Sequence, residues 1–112
     1  MKILKIKVGD GALQIKDCRF SSVRGLMFND LRKIDGALIY ANNVWMPFVR
    51  HNLDLFFLDK DGRVLEIQKA APMKFMKPGT WKIYKNGKAK YCLEIRAGLA
   101  RIKKGAKLKL NT

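Results

Sequence analysis

The apolar residues of this chain recur mostly at every second position, the spacing of a strand with one buried face and not that of a helix. Turn-forming pairs punctuate the alternation, so its segments read as hairpins. In the first, Leu4, Ile6 and Val8 share a face, and a two-residue Asp10-Gly11 turn predicts Val8 opposite Leu13 and Ile6 opposite Ile15. Residues 53 to 58 are apolar at nearly every position, which fits a strand covered on both faces, while residues 63 to 68 alternate like a half-exposed partner. A three-residue loop, Lys60-Asp61-Gly62, predicts Phe57 opposite Leu65 and Leu55 opposite Ile67, with Gly62 supplying a positive φ. Asp59 heads that loop, where a side-chain acceptor serves the turn amides.

A third hairpin is predicted over residues 80 to 95. Taking Lys85-Asn86-Gly87 as its loop pairs Trp81 with Tyr91 and Ile83 with Ala89 on one apolar face. The opposite face then sets Lys82 across from Lys90 and Tyr84 across from Lys88. Opposed like charges destabilise a sheet unless something offsets them, and a polyanion is one such partner. Residues 21 to 31 and 97 to 104 each have room for a helical turn, weakened by Gly25 and Gly98. A loop bracketed by Pro72, Pro78 and Gly79 carries Met73, Phe75 and Met76, which suit a lid over the core. The expectation is an all-β domain of antiparallel hairpins closed into a small sandwich or barrel, with one or two short helical turns.

The 112 residues make one domain, 1–112, able to bury roughly 65% of its unfolded surface without a metal or disulfide. Cys18 and Cys92 stand in no metal-ligand spacing and read as reduced, buried thiols. The opening residues alternate lysine with apolar side chains and lack the apolar core of a signal peptide, and no run approaches the ~20 residues of a membrane span. A cytoplasmic location is expected.

Charge is unevenly placed. Residues 1 to 24 carry six Lys and Arg against two Asp, residues 25 to 68 carry five against six acids, and residues 69 to 112 carry thirteen against Glu94 alone, a local net of +12. Heat-adapted surfaces balance lysine with glutamate in networks, and this chain has only Glu66 and Glu94. An excess that repels itself in the compact state points to an anionic partner.

Much chemistry is excluded. Zinc catalysis and histidine-based triads draw on several converging His, Cys, Asp or Glu residues, and His51 is the one histidine. Gly9 and Gly11 begin a dinucleotide-like pattern that fails at Gln14, and Gly87-Lys88 leads to Ala89 rather than the Ser or Thr of a phosphate-binding loop. No cofactor and no metal are expected, and the reading leans away from an enzyme.

Four stretches carry a resemblance: Arg24-Gly25-Leu26-Met27-Phe28; Trp45-Met46; Leu53-Asp54 with Phe57-Leu58-Asp59-Lys60-Asp61-Gly62-Arg63-Val64; and Tyr91 with Leu93-Glu94-Ile95 and Ala97-Gly98. Their order and spacing, from about Cys18 to Leu110, resemble the domain of unknown function 192 family of bacteria and archaea, in its archaeal form. The resemblance implies a compact β-rich domain and assigns no activity. Two departures stand out. Phe48-Val49 and Asn52 replace the family's Asn-Thr and proline, and Ala106 replaces the acid that often follows Lys-x-Gly.

Two functional readings follow. The first is a non-enzymatic module that binds RNA or another polyanion through Lys82, Lys88, Lys90, Lys103, Lys104, Lys107 and Lys109, with Tyr84 stacking on a base. The second is a small-ligand domain or enzyme, its apolar pocket walled by Trp45, Met46 and Phe48 and oriented by Arg50 and Asp54. Its null is packing: Trp45, Met46 and Phe48 equally suit a core, and Asp54 suits a structural acceptor for backbone amides or Arg50. Contact with anionic lipid would use the same lysines but lacks an amphipathic helix to insert. Oligomeric state is left open.

Overall fold

The structure, a computed structural model, describes residues 3–8, 11–18, 34–45, 52–71 and 83–110. Eight strands run through them: β1 (Ile3–Val8), β2 (Gly11–Cys18), β3 (Gly36–Ile39), β4 (Asn43–Trp45), β5 (Leu53–Leu58), β6 (Val64–Ala70), β7 (Ile83–Lys85) and β8 (Tyr91–Arg96). Six of them form one sheet in the order β1-β2-β3-β8-β5-β6, and β4 pairs with β7 in a second. The fold is all-β, with no helix among the described residues.

Strands β5 and β8 lie inside the sheet, each with a neighbour on both sides, because their sequences can be buried on both faces. Every residue of β5 is buried, as are Cys92, Leu93, Glu94 and Ile95 of β8. Alternation then sorts their side chains to two faces. On one, Leu53, Leu55, Phe57 and Cys92 join Ala37 and Ile39, and are covered by Val44 of β4 and Tyr84 of β7. On the other, Phe56, Leu58, Leu93 and Ile95 join Leu38 and the apolar side of β1 and β2, and are covered by Ile102 and Leu108 of the C-terminal segment. These are called below the β7 face and the tail face.

Strands β2 and β3 are parallel, so the picture of hairpins alone is corrected there. Parallel neighbours need a crossover connection and not a tight turn. The remaining pairs are antiparallel.

Each predicted hairpin register is revised. In the first, Ile6 faces Leu13 and Leu4 faces Ile15, a slip of two residues from the expectation, and Val8 faces Gly11 across residues 9 and 10. A slip of two preserves which side chains share a face, so the apolar pattern is blind to it. In the second, Leu58 faces Val64 as the loop predicts, but a bulge follows: Phe57 faces Glu66 and Leu55 faces Gln68, not Leu65 and Ile67. The extra residue, Leu65, reverses the parity of β6. Val64 thereby packs on the tail face while Ala70, six residues on, packs on the β7 face.

The third hairpin does not form. β7 pairs with β4, and β8 is flanked by β3 and β5. A strand as apolar as β8 needs a long partner on each side, and three-residue β7, exposed at Ile83 and Lys85, cannot provide one. The expected helical turn at residues 97 to 104 is also replaced. Leu99 N–H donates to Arg96 O and Ala106 N–H to Lys103 O, closing two separate turns. Residues 21 to 31 and the loop with Met73, Phe75 and Met76 lie outside the described residues.

Candidate polyanion surface

The C-terminal segment after β8 has no regular strand, and the burial of its apolar residues decides where its charge goes. Ile102 and Leu108 are buried on the tail face, and Ala100, Ala106 and Leu110 pack partly against them. Arg101, Lys103, Lys104, Lys107 and Lys109 are exposed between them. The tail is clamped to the start of β6: Val64 N–H donates to Ala106 O at 2.8 Å, Gly105 N–H to Val64 O at 2.8 Å and Leu108 N–H to Gly62 O at 2.9 Å. Arg63 Nη1 adds a bond to Gly105 O at 3.0 Å. Gly62 makes this possible. Its φ is +86°, and a Cβ there would overlap the Leu108 carbonyl oxygen.

The turn below the clamp is fixed by Asp59, whose Oδ1 accepts from the N–H groups of Asp61 at 2.9 Å and Arg63 at 3.0 Å. The Arg63 N–H, above all, and that of Asp61 hold this carboxyl below the usual carboxylate range. Arg63, exposed, is bridged to Lys107 of the tail, and the same turn exposes Lys60 and the acid Asp61.

The predicted lysines and Tyr84 do not form one sheet face. Tyr84 is buried, and its hydroxyl accepts from Ala71 N–H at 3.2 Å, so it is removed from the set of stacking residues. Its burial follows from the pairing of β7 with β4 over the β7 face. Lys88 and Lys90 are exposed beyond the turn at Asn86, and Lys82 lies outside the described residues. Lys103, Lys104, Lys107 and Lys109 are together on the tail. Arg63 was missed because only the clamp brings residues 62 to 64 beside residues 105 to 108, and Arg101 was missed although it lies on the tail itself, two residues before Lys103. Also missed was Tyr40, which is 58% exposed and meets Tyr91 edge-on with ring centroids 5.5 Å apart. No local signal marks that pair, since fifty residues separate its members.

Of the proposed pocket, Met46, Phe48 and Arg50 lie outside the described residues, and Trp45 is placed only through the pairing of its backbone with Ile83. Asp54 is buried on the tail side of β5, where its Oδ2 accepts from Gly98 N–H at 3.1 Å. Its Oδ1 is buried, and among the described residues it has no hydrogen-bond partner.

The β7 face holds the other buried acid, Glu94. Burial first, and the charge of Glu94 second, push the Cys92 thiol up, so it is an inert, free, buried cysteine. Nearby, the bulge aims Glu66 and Gln68 at the end of β7: Asn86 Nδ2 donates to Glu66 Oε1 at 2.8 Å and Gln68 Nε2 to Lys85 O at 3.0 Å. Among the described residues no three His, Cys, Asp or Glu side chains gather to hold a metal ion. No helix among them is long and apolar enough to cross a membrane.

Residues 4–110 match the DUF192 family, described as uncharacterized ACR. A UPF0127 protein of Thermococcus sibiricus is 29% identical over 103 residues, 85% of this chain. The chain spans 61% of that relative's length. Two solved structures share the fold. A candidate transcription regulator from Sinorhizobium meliloti 1021 superposes with a TM-score of 0.73 at 21% identity, covering 94% of this chain and 89% of its own. A protein of unknown function from Novosphingobium aromaticivorans gives 0.71 at 25% identity, covering 96% and 84%.

Proposed function

The chain belongs to the DUF192 family, which brings no assigned activity with it, and from its surface we propose a non-enzymatic, cytoplasmic module that binds a polyanion such as RNA through its C-terminal tail. One observation carries the reading. The tail exposes Arg101, Lys103, Lys104, Lys107 and Lys109 along a backbone clamped to β6, in a stretch with no carboxylate of its own. Clamping matters because a fixed row of cations meets phosphates without ordering a free chain first. Lys60 and Arg63 extend the row onto the neighbouring turn.

The test is fluorescence anisotropy of labelled single-stranded RNA against the protein at several salt concentrations, beside the double variant Lys103→Glu and Lys107→Glu. Affinity should fall with salt by a logarithmic slope of roughly 0.7 per neutralised phosphate, and the variant should bind more weakly with a shallower slope. A flat salt response, or a variant that binds like the parent, defeats the reading. The unpartnered Asp54 Oδ1 favours a second reading, in which that carboxylate receives a hydrogen-bond donor of a small ligand. Absence of RNA binding even at low salt would shift the weight to it.

A further inference from the structure

The strand pairings place an aromatic pair and the basic tail on one face and at one end of the sheet. Leu38 faces Leu93 and Ile39 faces Cys92, and the next step of that register sets Tyr40 across from Tyr91. The row continues, since Tyr91 faces Leu58 and Leu58 faces Val64. Tyr91 is thus two strands from β6, about 10 Å at the usual strand spacing. It is there that Val64 is bonded to Ala106 and Gly105 of the tail. Parity agrees, because Tyr91 packs against the cluster that the tail covers. The backbone before Tyr91 is fixed to β5, where Lys90 N–H donates to Leu58 O at 2.8 Å.

An exposed tyrosine braced at its ring by a neighbour is fixed in orientation, and a mostly solvent-facing ring so fixed offers a surface for a flat partner. A phosphate-bearing chain that reaches it from the tail lysines presents such partners only if its bases are unpaired. Among the described residues, three carboxylates adjoin this end of the face. Asp17 on β2 is half-buried, Asp59 is engaged by its turn, and Asp61 is exposed.

We infer that the polyanion is a single-stranded nucleic acid, one base stacking on Tyr40 with Tyr91 as its brace, while the phosphates pass over the tail lysines Lys103, Lys104 and Lys107. This rests on the polyanion reading above and narrows it to one class of ligand. Tyr40 takes the stacking role that burial denies to Tyr84.

The experiment titrates the full chain and its variants Tyr40→Ala and Tyr40→Phe with a short labelled oligouridine and, separately, with heparin, a polyanion that has no bases. Thermal melts of each variant confirm folding, which an exposed position should leave intact. Tyr40→Ala should weaken oligouridine binding about tenfold, Tyr40→Phe should retain it, and heparin binding should be the same for all three. Unchanged oligouridine affinity in Tyr40→Ala, or an equal loss for heparin, overturns the stacking inference and leaves the polyanion reading standing. Failure of the parent to bind either ligand overturns both.

Discussion

On one face of the six-stranded sheet, the three-residue strands β4 and β7 lie over Leu55 and Phe57 and are tied down by polar side chains: Tyr84 to Ala71, Gln68 to Lys85, Asn86 to Glu66. On the other, the tail lies over Phe56 and Leu58 with Ile102 and Leu108 inward and its lysines outward, held to β6 by backbone bonds and the Arg63 guanidinium. The first cover directs its polar groups inward, to satisfy one another. The second turns its lysines outward to solvent, and a surface with exposed cations is one that can meet a partner. Apolar burial therefore serves different ends on the two sides.

That contrast can be broken from either side. The largest expected effects come from beneath the covers. Phe57→Ala and Phe56→Ala each empty a fully buried site, one per face, and each should lower stability by about 3–5 kcal/mol in urea unfolding. Equal losses would show that both covers enclose a true core, while a much smaller loss for Phe56→Ala would mean the tail packs loosely.

Breaking one tie on each face should separate the covers further. Gly62→Ala forces a left-handed backbone on alanine and pushes against Leu108, so about 2 kcal/mol is expected, together with faster amide exchange in the tail. Tyr84→Phe removes one acceptor from Ala71 N–H and should cost about 1 kcal/mol, leaving tail exchange unchanged. If both variants loosen the tail, the two covers are not independent.

The smallest effect is at Asp59, whose bonds shape the turn under the clamp. Its carboxyl is held below the ordinary range by folding, so its contribution is present above that range and is lost as pH falls through its own depressed pKa. Asp59→Ala should therefore lower the melting temperature slightly at neutral pH, and the gap to the parent should close in strong acid. A gap that persists there would assign the effect to packing and not to the carboxylate.

Much of this was legible in residue order. The unbroken apolar run of β5 marked a strand buried on both sides, Gly62 marked a bend only glycine tolerates, and the alternation of β1 and β2 fixed which side chains share a face. The alternation also foretold an all-β fold, but not that separate turns would replace the helical turn expected at residues 97 to 104. The bulge at Leu65 was hidden because residues 64 to 70 alternate acceptably either way, and only having to put Val64 and Ala70 on opposite faces exposes the extra residue. Tyr84 looked like a partner for Lys88 because a loop beside a turn signal suggests a hairpin, and a local signal cannot report that β8 finds better neighbours elsewhere.

By itself the sequence determined the quantities that are local or summed: strand periodicity, the positions that demand glycine, and a +12 excess of charge in the last forty-four residues. Tertiary structure alone decided which strands are neighbours, and so which charges and rings meet. Tyr40 reaches Tyr91, and Arg63 reaches the tail, through pairings far apart in the chain. Those pairings are chosen by the burial of whole faces, a free energy that belongs to the assembled sheet and to no single segment of it.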